Sequence, residues 1–471
     1  MINVDICIIG AGSGGLSVAA GAAQMGAKVV LVEQGEMGGD CLNAGCVPSK
    51  SMLAAGHMAQ NIRQAASFGV QAVEPKTDWA AVHRHIHEVI GSIAPNDSQQ
   101  RFEDMGVTVI RAAGQFEDRQ TLRAGDQLIR AKYFVLATGS SPFVPPFAGL
   151  DQVSYFTNEN IFDNREEVEH LIVIGGGPIA MEMAQAHLRL GARVTVMKKS
   201  RLLIKDDPEL SSIVITCLQK EGMEFHEGGH DLTVERTDDG KVAVRHTTDE
   251  CSQSVIGSHL LIATGRRANV NGLGLEAAGV AYSEKGVGVD ARLRTSNKRI
   301  FAIGDVAGPY QFTHMAAYQA GIVIRNMLFK LPAKVDYSAV PWVTYTDPEL
   351  AQVGMTEADA EQVGTDIRVL RWSFDENDRA QAEKRIEGLV KVITTPRGVI
   401  LGAGIAGLHA GELIQPWVLA ISQKMKIGAM ASMIAPYPTL AEVNKRIAGS
   451  FYTEKLFSQR IQRLVKLLLK F

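Results

Sequence analysis

The feature that most constrains this chain is a pattern that occurs twice: an apolar run, a glycine-rich turn, a helix-forming stretch and a second apolar run. The first copy begins at residues 4–9 and reaches a second apolar run at 28–32, which ends at Glu33. Three glycines in the turn have the spacing G-x-G-x-x-G: Gly10, Gly12 and Gly15. Such glycines permit a tight turn, close approach of the backbone to a pyrophosphate, and packing of the helix on the sheet. The pattern predicts a βαβ unit that binds a dinucleotide at the helix N-terminus, with Glu33 accepting a ribose hydroxyl.

The second copy starts with the apolar run 171–174 and reaches another apolar run at 193–197, through a turn with the variant spacing G-x-G-x-x-A. Where the first copy has the acid Glu33, the second has Lys198, followed by Lys199 and Arg201. An acid at this place favours the free ribose hydroxyl of NAD, whereas basic residues favour the 2′-phosphate of NADP. The sequence therefore favours NADPH, with NADH possible. The alternative is that these cations are solvated charges at a strand end.

Two dinucleotide sites in one chain predict electron transfer between them. The segments 137–139 and 263–265, both Ala-Thr-Gly, each close an apolar run, and Asp305 follows the apolar run 300–303. From about residue 335 the pattern changes to mixed strands and helices, which predicts a third, α+β domain.

Composition bounds the class of protein. The chain has 471 residues, and roughly 150 residues per domain suggests about three domains. Its 48 Lys and Arg against 51 Asp and Glu give a net charge of −3, which excludes the strongly basic balance of a nucleic-acid-binding protein. No signal peptide and no apolar run long enough to span a membrane are visible. A cytoplasmic protein without membrane association is expected.

Five cysteines are too few for a secreted disulfide framework. Cys41 and Cys46 stand with four residues between them, and no second Cys or His pair at suitable spacing supports zinc. A redox pair is the better interpretation, and a helix beginning near Cys46 would favour a thiolate there. Cys7 lies in the first apolar run and reads as a core residue. Cys217 and Cys251 have no nearby partner and are expected to take no part.

The segment 38–50 resembles the redox signature of the flavin disulfide reductases, a family that includes dihydrolipoamide dehydrogenase, glutathione reductase and mercuric reductase. The resemblance covers essentially the whole chain. It implies an α/β fold with two Rossmann-like domains, for FAD and NAD(P), and a C-terminal α+β dimerisation domain. The implied division is 1–150 and 276–335 for the FAD and central domain, 151–275 for NAD(P), and 336–471 for the interface of a homodimer.

The resemblance also implies residue roles. Cys41 matches the interchange thiol that attacks the substrate, and Cys46 the charge-transfer thiol that faces the flavin. Lys50 matches the lysine beside flavin N5, and Glu182 its acidic partner. The residues implied for FAD are Gly10, Gly12, Gly15, Glu33, Lys50, Gly114, Thr138, Gly139, Asp305 and His314. Those implied for the nicotinamide nucleotide are Gly175, Gly177, Ile179, Glu182, Lys198, Lys199, Arg201 and Gly265.

The C-terminal region departs from the dithiol dehydrogenases. They carry a histidine five residues before a glutamate; here Glu442 matches, but Tyr437 replaces the histidine, as in mercuric reductase. Tyrosine can donate a proton to a thiolate but is a poor base. Mercuric reductase also needs a C-terminal cysteine pair, and no cysteine follows Cys251. In a homodimer, Tyr437 and Glu442 would complete the partner's site; alternatively Tyr437 only packs at the interface.

The predicted function is an FAD-dependent NAD(P)H oxidoreductase that passes hydride through flavin to a Cys41–Cys46 disulfide and on to a small oxidised substrate. The alternatives are a dihydrolipoamide dehydrogenase using NAD, or a reductase of mercuric or other metal ions or of quinones.

Two further features of the sequence give weaker indications of function. His83 and His87 are one helical turn apart, but the sequence shows no further ligands, and no metal is predicted. The tail 455–471 mixes basic and apolar residues, which fits either a membrane-surface helix or a helix docked on the interface domain.

Overall fold

Both predicted βαβ patterns form in the structure, a computed structural model that describes residues 1–247 and 252–471. Cys251 therefore lies outside the described residues. Contacts divide the chain into two units. The first unit comprises Met1–Gly175, Ala186–Met197 and Gly229–Asp336. The second unit comprises Gly176–Gln185, Lys198–Gly228 and Tyr337–Phe471. The finer division into four segments implied by the resemblance stays a prediction.

The strands are β1 Ile2–Ile9, β2 Val29–Glu33, β3 Thr108–Arg111, β4 Gly114–Phe116, β5 Thr121–Ala124, β6 Gln127–Leu136, β7 Ser140–Pro142, β8 His170–Ile174, β9 Arg193–Lys198, β10 Glu224–Glu227, β11 His230–Arg236, β12 Val242–Thr247, β13 Ser252–Gly257, β14 His259–Ile262, β15 Arg266–Ala268, β16 Tyr282–Ser283, β17 Gly286–Val287, β18 Ile300–Ala302, β19 Pro341–Thr344, β20 Glu349–Gly354, β21 Arg368–Ser373, β22 Leu389–Thr394 and β23 Ile400–Gly407.

The α-helices are α1 Ser13–Gln24, α2 Gly39–Asn43, α3 Cys46–Gln64, α4 Trp79–Ile93, α5 Gln99–Asp104, α6 Pro178–Arg189, α7 Pro208–Lys220, α8 Thr313–Met327, α9 Glu357–Gln362, α10 Asp378–Ala382, α11 Ala410–Leu413, α12 Gln415–Ser422, α13 Ile427–Ala431, α14 Glu442–Ser450, α15 Thr453–Leu456 and α16 Gln459–Leu468. None of the helices in this described part of the chain is long and apolar enough to cross a membrane.

The largest sheet of the first unit has the strand order β3-β2-β1-β6-β5-β4, with β18 also pairing with β6. Strands β1, β2, β3, β6 and β18 pair in parallel, so both faces of the sheet need cover. One face packs Ile6, Ile8 and Leu31 against residues of α1 and α8. Cys7 lies fully buried in the core on the other face, which confirms its interpretation as a core residue.

The second βαβ pattern builds a smaller parallel sheet, in which β8 pairs with β9 on one side and with β14 on the other. Strand β14 ends directly before the second Ala-Thr-Gly segment, just as β6 ends before the first. Antiparallel strands β11, β12 and β13 form a separate sheet of the same unit.

In the second unit, a five-stranded antiparallel sheet has the order β19-β20-β23-β22-β21. The indole of Trp417 is fully buried beneath it and donates a hydrogen bond of 2.7 Å to Asn444. Asp207 caps α7, and its carboxylate binds the buried Lys391 of β22 at 2.8 Å. Mixed strands and helices follow residue 335, as the sequence pattern predicts, and their assignment to a third domain stays a prediction.

Candidate active site

The first glycine turn is the tightest backbone feature of the first unit. Gly10 has φ +106°, and a Cβ there would lie 2.3 Å from the carbonyl oxygen of Ala137, so no other residue fits. A Cβ on Gly15 would lie 1.8 Å from the Gly10 oxygen, which fixes helix and turn in close contact. Beside Gly12 the space is open, because a Cβ would meet only Gly39 at 3.9 Å.

Helix α1 begins immediately after Gly12, and no side chain caps its first turn. Its first N–H groups therefore face the open space and can receive an anionic pyrophosphate. The Glu33 carboxylate lies beside the turn and accepts from the N–H groups of Ala11 at 2.5 Å and Gly35 at 2.6 Å. A carboxylate has about four acceptor positions, so it can also accept a ribose hydroxyl. The residues present fit the predicted FAD.

The two predicted redox cysteines lie together in the first unit. Cys41 is in the short helix α2, and Cys46 is the first residue of the 19-residue helix α3. Both are free cysteines in the structure. Hydrogen bonding from Cys41, together with the hydroxyl of Thr313 and the charge of Lys50, lowers the pKa of Cys46 to about 6, although burial opposes the shift. The same contact raises the pKa of Cys41 far above its usual range, and burial adds to the effect.

Thr313 is a site residue that the sequence did not reveal. Its Oγ1 lies 3.3 Å from the Sγ of Cys46, and it is the first residue of α8. The neighbouring His314, which the resemblance implied for FAD, stacks on Phe312 with ring centroids 5.2 Å apart. One signal in the sequence was available: Thr313 stands directly before His314, a residue implied for FAD, at the start of a helix.

Asp305 ends a partly buried polar network. Its Oδ2 accepts from Ser140 Oγ at 2.5 Å, and burial raises the pKa of its carboxyl. Arg266, also missed from the sequence, donates to the hydroxyl and the carbonyl of Ser140, both at 2.7 Å. The Arg266 guanidinium also lies 3.4 Å from Asp40, the residue before Cys41. The network thus connects the end of β18 with the cysteine loop.

Three other residues implied for FAD have defined contacts or backbone conformations in the structure: Thr138, Gly139 and Gly114. Thr138 donates to the carbonyl of Asn269 at 2.8 Å, and Gly139 has φ +68°. Gly114 is packed tightly, because a Cβ there would meet the side chains of Leu122, Ile9 and Val32 at 3.3–3.4 Å. Gly114 is therefore closely packed, and its contact with FAD stays a prediction.

The second glycine turn begins at Gly175, where a Cβ would lie 2.2 Å from the carbonyl oxygen of Ala263. In the second unit, the stem of Lys198 lies over Gly176, while the space around Gly177 is open. Ile179 is 39% exposed at the start of α6. This open turn at a helix N-terminus fits a second pyrophosphate. Lys199 is exposed nearby along the chain.

Two further residues implied for the nucleotide have defined hydrogen bonds. Glu182 is 4% exposed and accepts from the backbone N–H of Tyr345 at 3.0 Å. In the first unit, Gly265 has φ +147° and follows Thr264, whose hydroxyl donates to Phe143. Lys50 belongs to the first unit and Glu182 to the second, and their pairing stays a prediction.

Arg201, which the sequence assigned to a 2′-phosphate, has hydrogen bonds within its own loop. Its Nη1 donates to Ser211 at 2.8 Å, and its Nη2 donates to the carbonyls of Ile204 at 3.2 Å and Asp206 at 3.1 Å. Both terminal nitrogens are thus engaged in the loop that precedes α7. Arg201 thus holds that loop in place, and the contact of Lys198, Lys199 and Arg201 with a 2′-phosphate stays a prediction.

Comparison with known proteins decides the family. Residues 4–320 match the family described as pyridine nucleotide-disulphide oxidoreductase, and residues 340–448 match the dimerisation domain of the same family. The chain belongs to the pyridine nucleotide-disulphide oxidoreductase family. Enzymes of this family use FAD and NAD(P)H, and the chain is an NAD(P)H-dependent flavin disulfide oxidoreductase.

Relatives of known name span nearly the same length. A mercuric reductase of Streptomyces lividans is 36% identical, covering 96% of this chain and 96% of its own. A dihydrolipoyl dehydrogenase of Bacillus subtilis is 33% identical, covering 95% of this chain and 96% of its own. The HOCl-induced flavoprotein disulfide reductase RclA of Escherichia coli, solved as a Cu(II) complex, is 25% identical with a TM-score of 0.85. It covers 96% of this chain and 100% of its own. The α/β fold with a dimerisation domain is therefore confirmed.

Tyr437 lies in the segment that matches the dimerisation domain, and it is 68% exposed in the single chain. Its hydroxyl donates to Asp378 at 2.9 Å, and this hydrogen bond raises the pKa of Tyr437, so the phenol is protonated at neutral pH. Glu442 begins α14, and its carboxylate is 3.6 Å from Arg446. The catalytic roles of Tyr437 and Glu442 stay predictions.

The basic C-terminal tail of the chain forms α16, and none of the residues of this helix is buried. The side chains of Leu467 and Leu468 are more than half exposed. Docking of α16 on its own interface domain, one of the two expectations from the sequence, is therefore not seen.

Proposed function

We propose that this oxidoreductase takes electrons from NADPH and passes them through the Cys41–Cys46 pair to a small oxidised substrate of the disulfide type. In the proposed homodimer, Tyr437 and Glu442 of each subunit complete the site of the other. The basic pair Lys198 and Lys199 supports the preference for NADPH, because a 2′-phosphate is recognised by cations.

The geometry of the cysteine pair carries the proposal. A thiol with its pKa lowered to about 6 is mostly thiolate at neutral pH, and Cys46 has this property at the first turn of a long helix. Cys41 is its hydrogen-bonding partner and keeps its proton. The pair thus holds one proton between two sulfurs, which is a state prepared for thiol–disulfide exchange.

When bound, FAD supplies the two-electron chemistry that links NADPH to the cysteine pair. Cys41 becomes the nucleophile when its proton passes to Cys46. Its Sγ attacks one sulfur of a substrate disulfide, forms a mixed disulfide and releases one thiolate, which takes the proton from Cys46. The Cys46 thiolate then attacks the Sγ of Cys41, closes the Cys41–Cys46 disulfide and releases the second thiolate. Tyr437 of the partner subunit, protonated at neutral pH, can donate to the departing thiolate.

Anaerobic reduction tests the assignment of the thiols. We expect the reduced holoenzyme to show a long-wavelength absorption band from a thiolate lying against the flavin. Cys46→Ser should abolish the band, whereas the matched variant Cys41→Ser should keep it. Persistence of the band in Cys46→Ser would show that the role proposed for Cys46 is wrong.

A second candidate function is reduction of a metal ion. Tyr437 in place of histidine favours it, because mercuric reductase shows tyrosine there, and the 36% identical relative is a mercuric reductase. Measuring NADPH oxidation with small disulfides, Hg(II), Cu(II) and quinones under one set of conditions separates the candidates. The proposal requires a disulfide to give the highest kcat/KM. Faster turnover with a metal ion, lost in Cys41→Ser, would replace it by the second candidate.

A further inference from the structure

A cluster of possible metal ligands lies in the first unit, apart from the residues assigned to the redox site. His83 and His87 project from the same face of α4, with ring centroids 4.1 Å apart. Asp163, at the end of a 3₁₀ turn Ile161–Asp163, reaches the same place. One ligand atom from each residue lies within 4.8 Å of the other two. The third ligand is about eighty residues away in sequence, so spacing alone could not reveal it.

The imidazole of His87 supplies an independent observation. Its Nε2 is shielded from solvent and has no hydrogen-bond partner among the described residues. A buried ring nitrogen without a partner is unfavourable, and such atoms are rare in folded proteins. This nitrogen lies 3.4 Å from Oδ1 of Asp163. A cation held between the two atoms would satisfy both.

The separation of these two atoms suits a metal. Tetrahedral Zn²⁺ has bonds of about 2.0–2.1 Å to histidine nitrogen and carboxylate oxygen, which places neighbouring ligand atoms about 3.3 Å apart. The His87–Asp163 pair already has this spacing. His83 needs only a small rotation of its side chain to come as close, because it is within 4.8 Å of both.

Arg165 opposes metal binding in the present arrangement. Its Nε donates to Nε2 of His83 over 3.4 Å, and its guanidinium places a positive charge beside the cluster. Arg165 is exposed and can turn into solvent. Binding of a cation must therefore displace this side chain, and its removal should strengthen binding.

We propose that His83, His87 and Asp163 bind one divalent cation of the late first-row class, such as Zn²⁺, Ni²⁺ or Cu²⁺. Two imidazole nitrogens and one carboxylate oxygen are the donors that this class accepts. Three protein ligands leave a fourth position for water. The ion ties α4 to the turn at Asp163.

Zn²⁺ titration by calorimetry tests the site. The protein is the FAD-loaded enzyme without an affinity tag, in the background Cys41→Ser with Cys46→Ser, because the active-site thiols also bind Zn²⁺. We expect one Zn²⁺ per chain. His87→Asn and Asp163→Asn should each weaken binding at least about tenfold, since even changes around a metal ligand cost 10–100-fold. Arg165→Gln should strengthen it.

His85→Asn is the matched control, because His85 is an exposed histidine of the same helix outside the cluster. It should leave the affinity unchanged. Thermal unfolding without metal, equal in all variants, confirms that each is folded. The proposal is overturned if one Zn²⁺ per chain binds equally well after His87→Asn and Asp163→Asn, or if no binding occurs at millimolar Zn²⁺.

Discussion

The Sγ of Cys46 lies 3.3 Å from Oγ1 of Thr313, a residue 267 positions away in sequence. The hydroxyl donates to the sulfur when the sulfur is a thiolate, since a thiolate can only accept. The hydrogen bond therefore favours the charged form of Cys46, in addition to the larger effect of Cys41. A residue from the last helix of the first unit thus adjusts the acidity of the redox pair.

Thr313→Val should raise the pKa of Cys46. Hydrogen bonds to charged groups contribute about 1.5–3 kcal/mol, which corresponds to about one to two pKa units. The pH dependence of alkylation by iodoacetamide in the reduced enzyme measures the shift. Ser49→Ala is the control. The Ser49 hydroxyl lies in the same turn of α3 as Cys46 but donates to the carbonyl oxygen of Cys46. An unchanged alkylation profile in Thr313→Val would remove Thr313 from the site.

Mixed dimers test whether Tyr437 acts in the partner's site. Cys41→Ser and Tyr437→Phe should each be nearly inactive as pure dimers. If the sites are shared between subunits, each hybrid dimer contains one intact site, and random mixing of equal amounts should restore about a quarter of the wild-type activity. Activity that stays at the level of the two parents would place Tyr437 in its own subunit's site or outside any site.

Lys198→Glu should lower kcat/KM for NADPH at least about tenfold, a change of about 1.4 kcal/mol, with little loss for NADH. The reason is that a carboxylate repels a 2′-phosphate but accepts a free ribose hydroxyl. Steady-state kinetics with both nucleotides measure the change. Lys220→Glu makes the same charge change at the exposed end of α7 and should leave the ratio of the two unaltered. A wild-type enzyme that prefers NADH would contradict the assignment from the start.

Asp206→Asn should stabilise the protein above neutral pH. Asp206 is 5% exposed, and burial raises its pKa to about 6, against the opposing hydrogen bond from Trp342. The folded state thus binds the proton more tightly than the unfolded state, whose pKa is 3.8. Folding stability is therefore lost as pH rises from about 4 to 6, by up to about 3 kcal/mol for a shift of about two units. An asparagine avoids this loss.

Urea unfolding of wild type and variant at pH 5, 6 and 8 measures the difference, which should grow with pH and then level off. Asp207→Asn is the neighbouring control with the opposite sign. It breaks the buried ion pair with Lys391 and should destabilise the protein at neutral pH. Equal stability of Asp206→Asn and wild type at pH 8 would contradict the raised pKa.

The sequence predicts those parts of the site that lie within one short stretch. One βαβ unit contains Gly10, Gly15 and Glu33, so the spacing of these residues in the sequence is enough to predict the geometry of the turn. The same holds for Cys46, whose position at a helix start follows from local pattern.

What the sequence could not predict depends on tertiary contacts. Thr313, Arg266 and Asp163 each meet partners that are distant along the chain. Arg201 is a further example: its residue type and position suit a phosphate, but the sequence does not reveal that its guanidinium also donates to Ser211 and to carbonyls of its own loop. The direction of a long side chain is set by the nearest hydrogen-bond acceptors. A spacing pattern in the sequence does not reveal which acceptors those are.

The late position of β18 in the chain determines when the first unit can finish folding during synthesis. Strand β18 pairs Ile300 with Phe134 of β6, and Asp305 stands three residues after its end. Until the ribosome has passed this point, the final residues of β6 lack their partner on that side, and an unpaired strand edge invites association with other chains. Contacts of such long sequence separation also close slowly. The turn with Asp305, which is predicted to contact FAD, is therefore completed late in biosynthesis, after the second glycine turn has already been made.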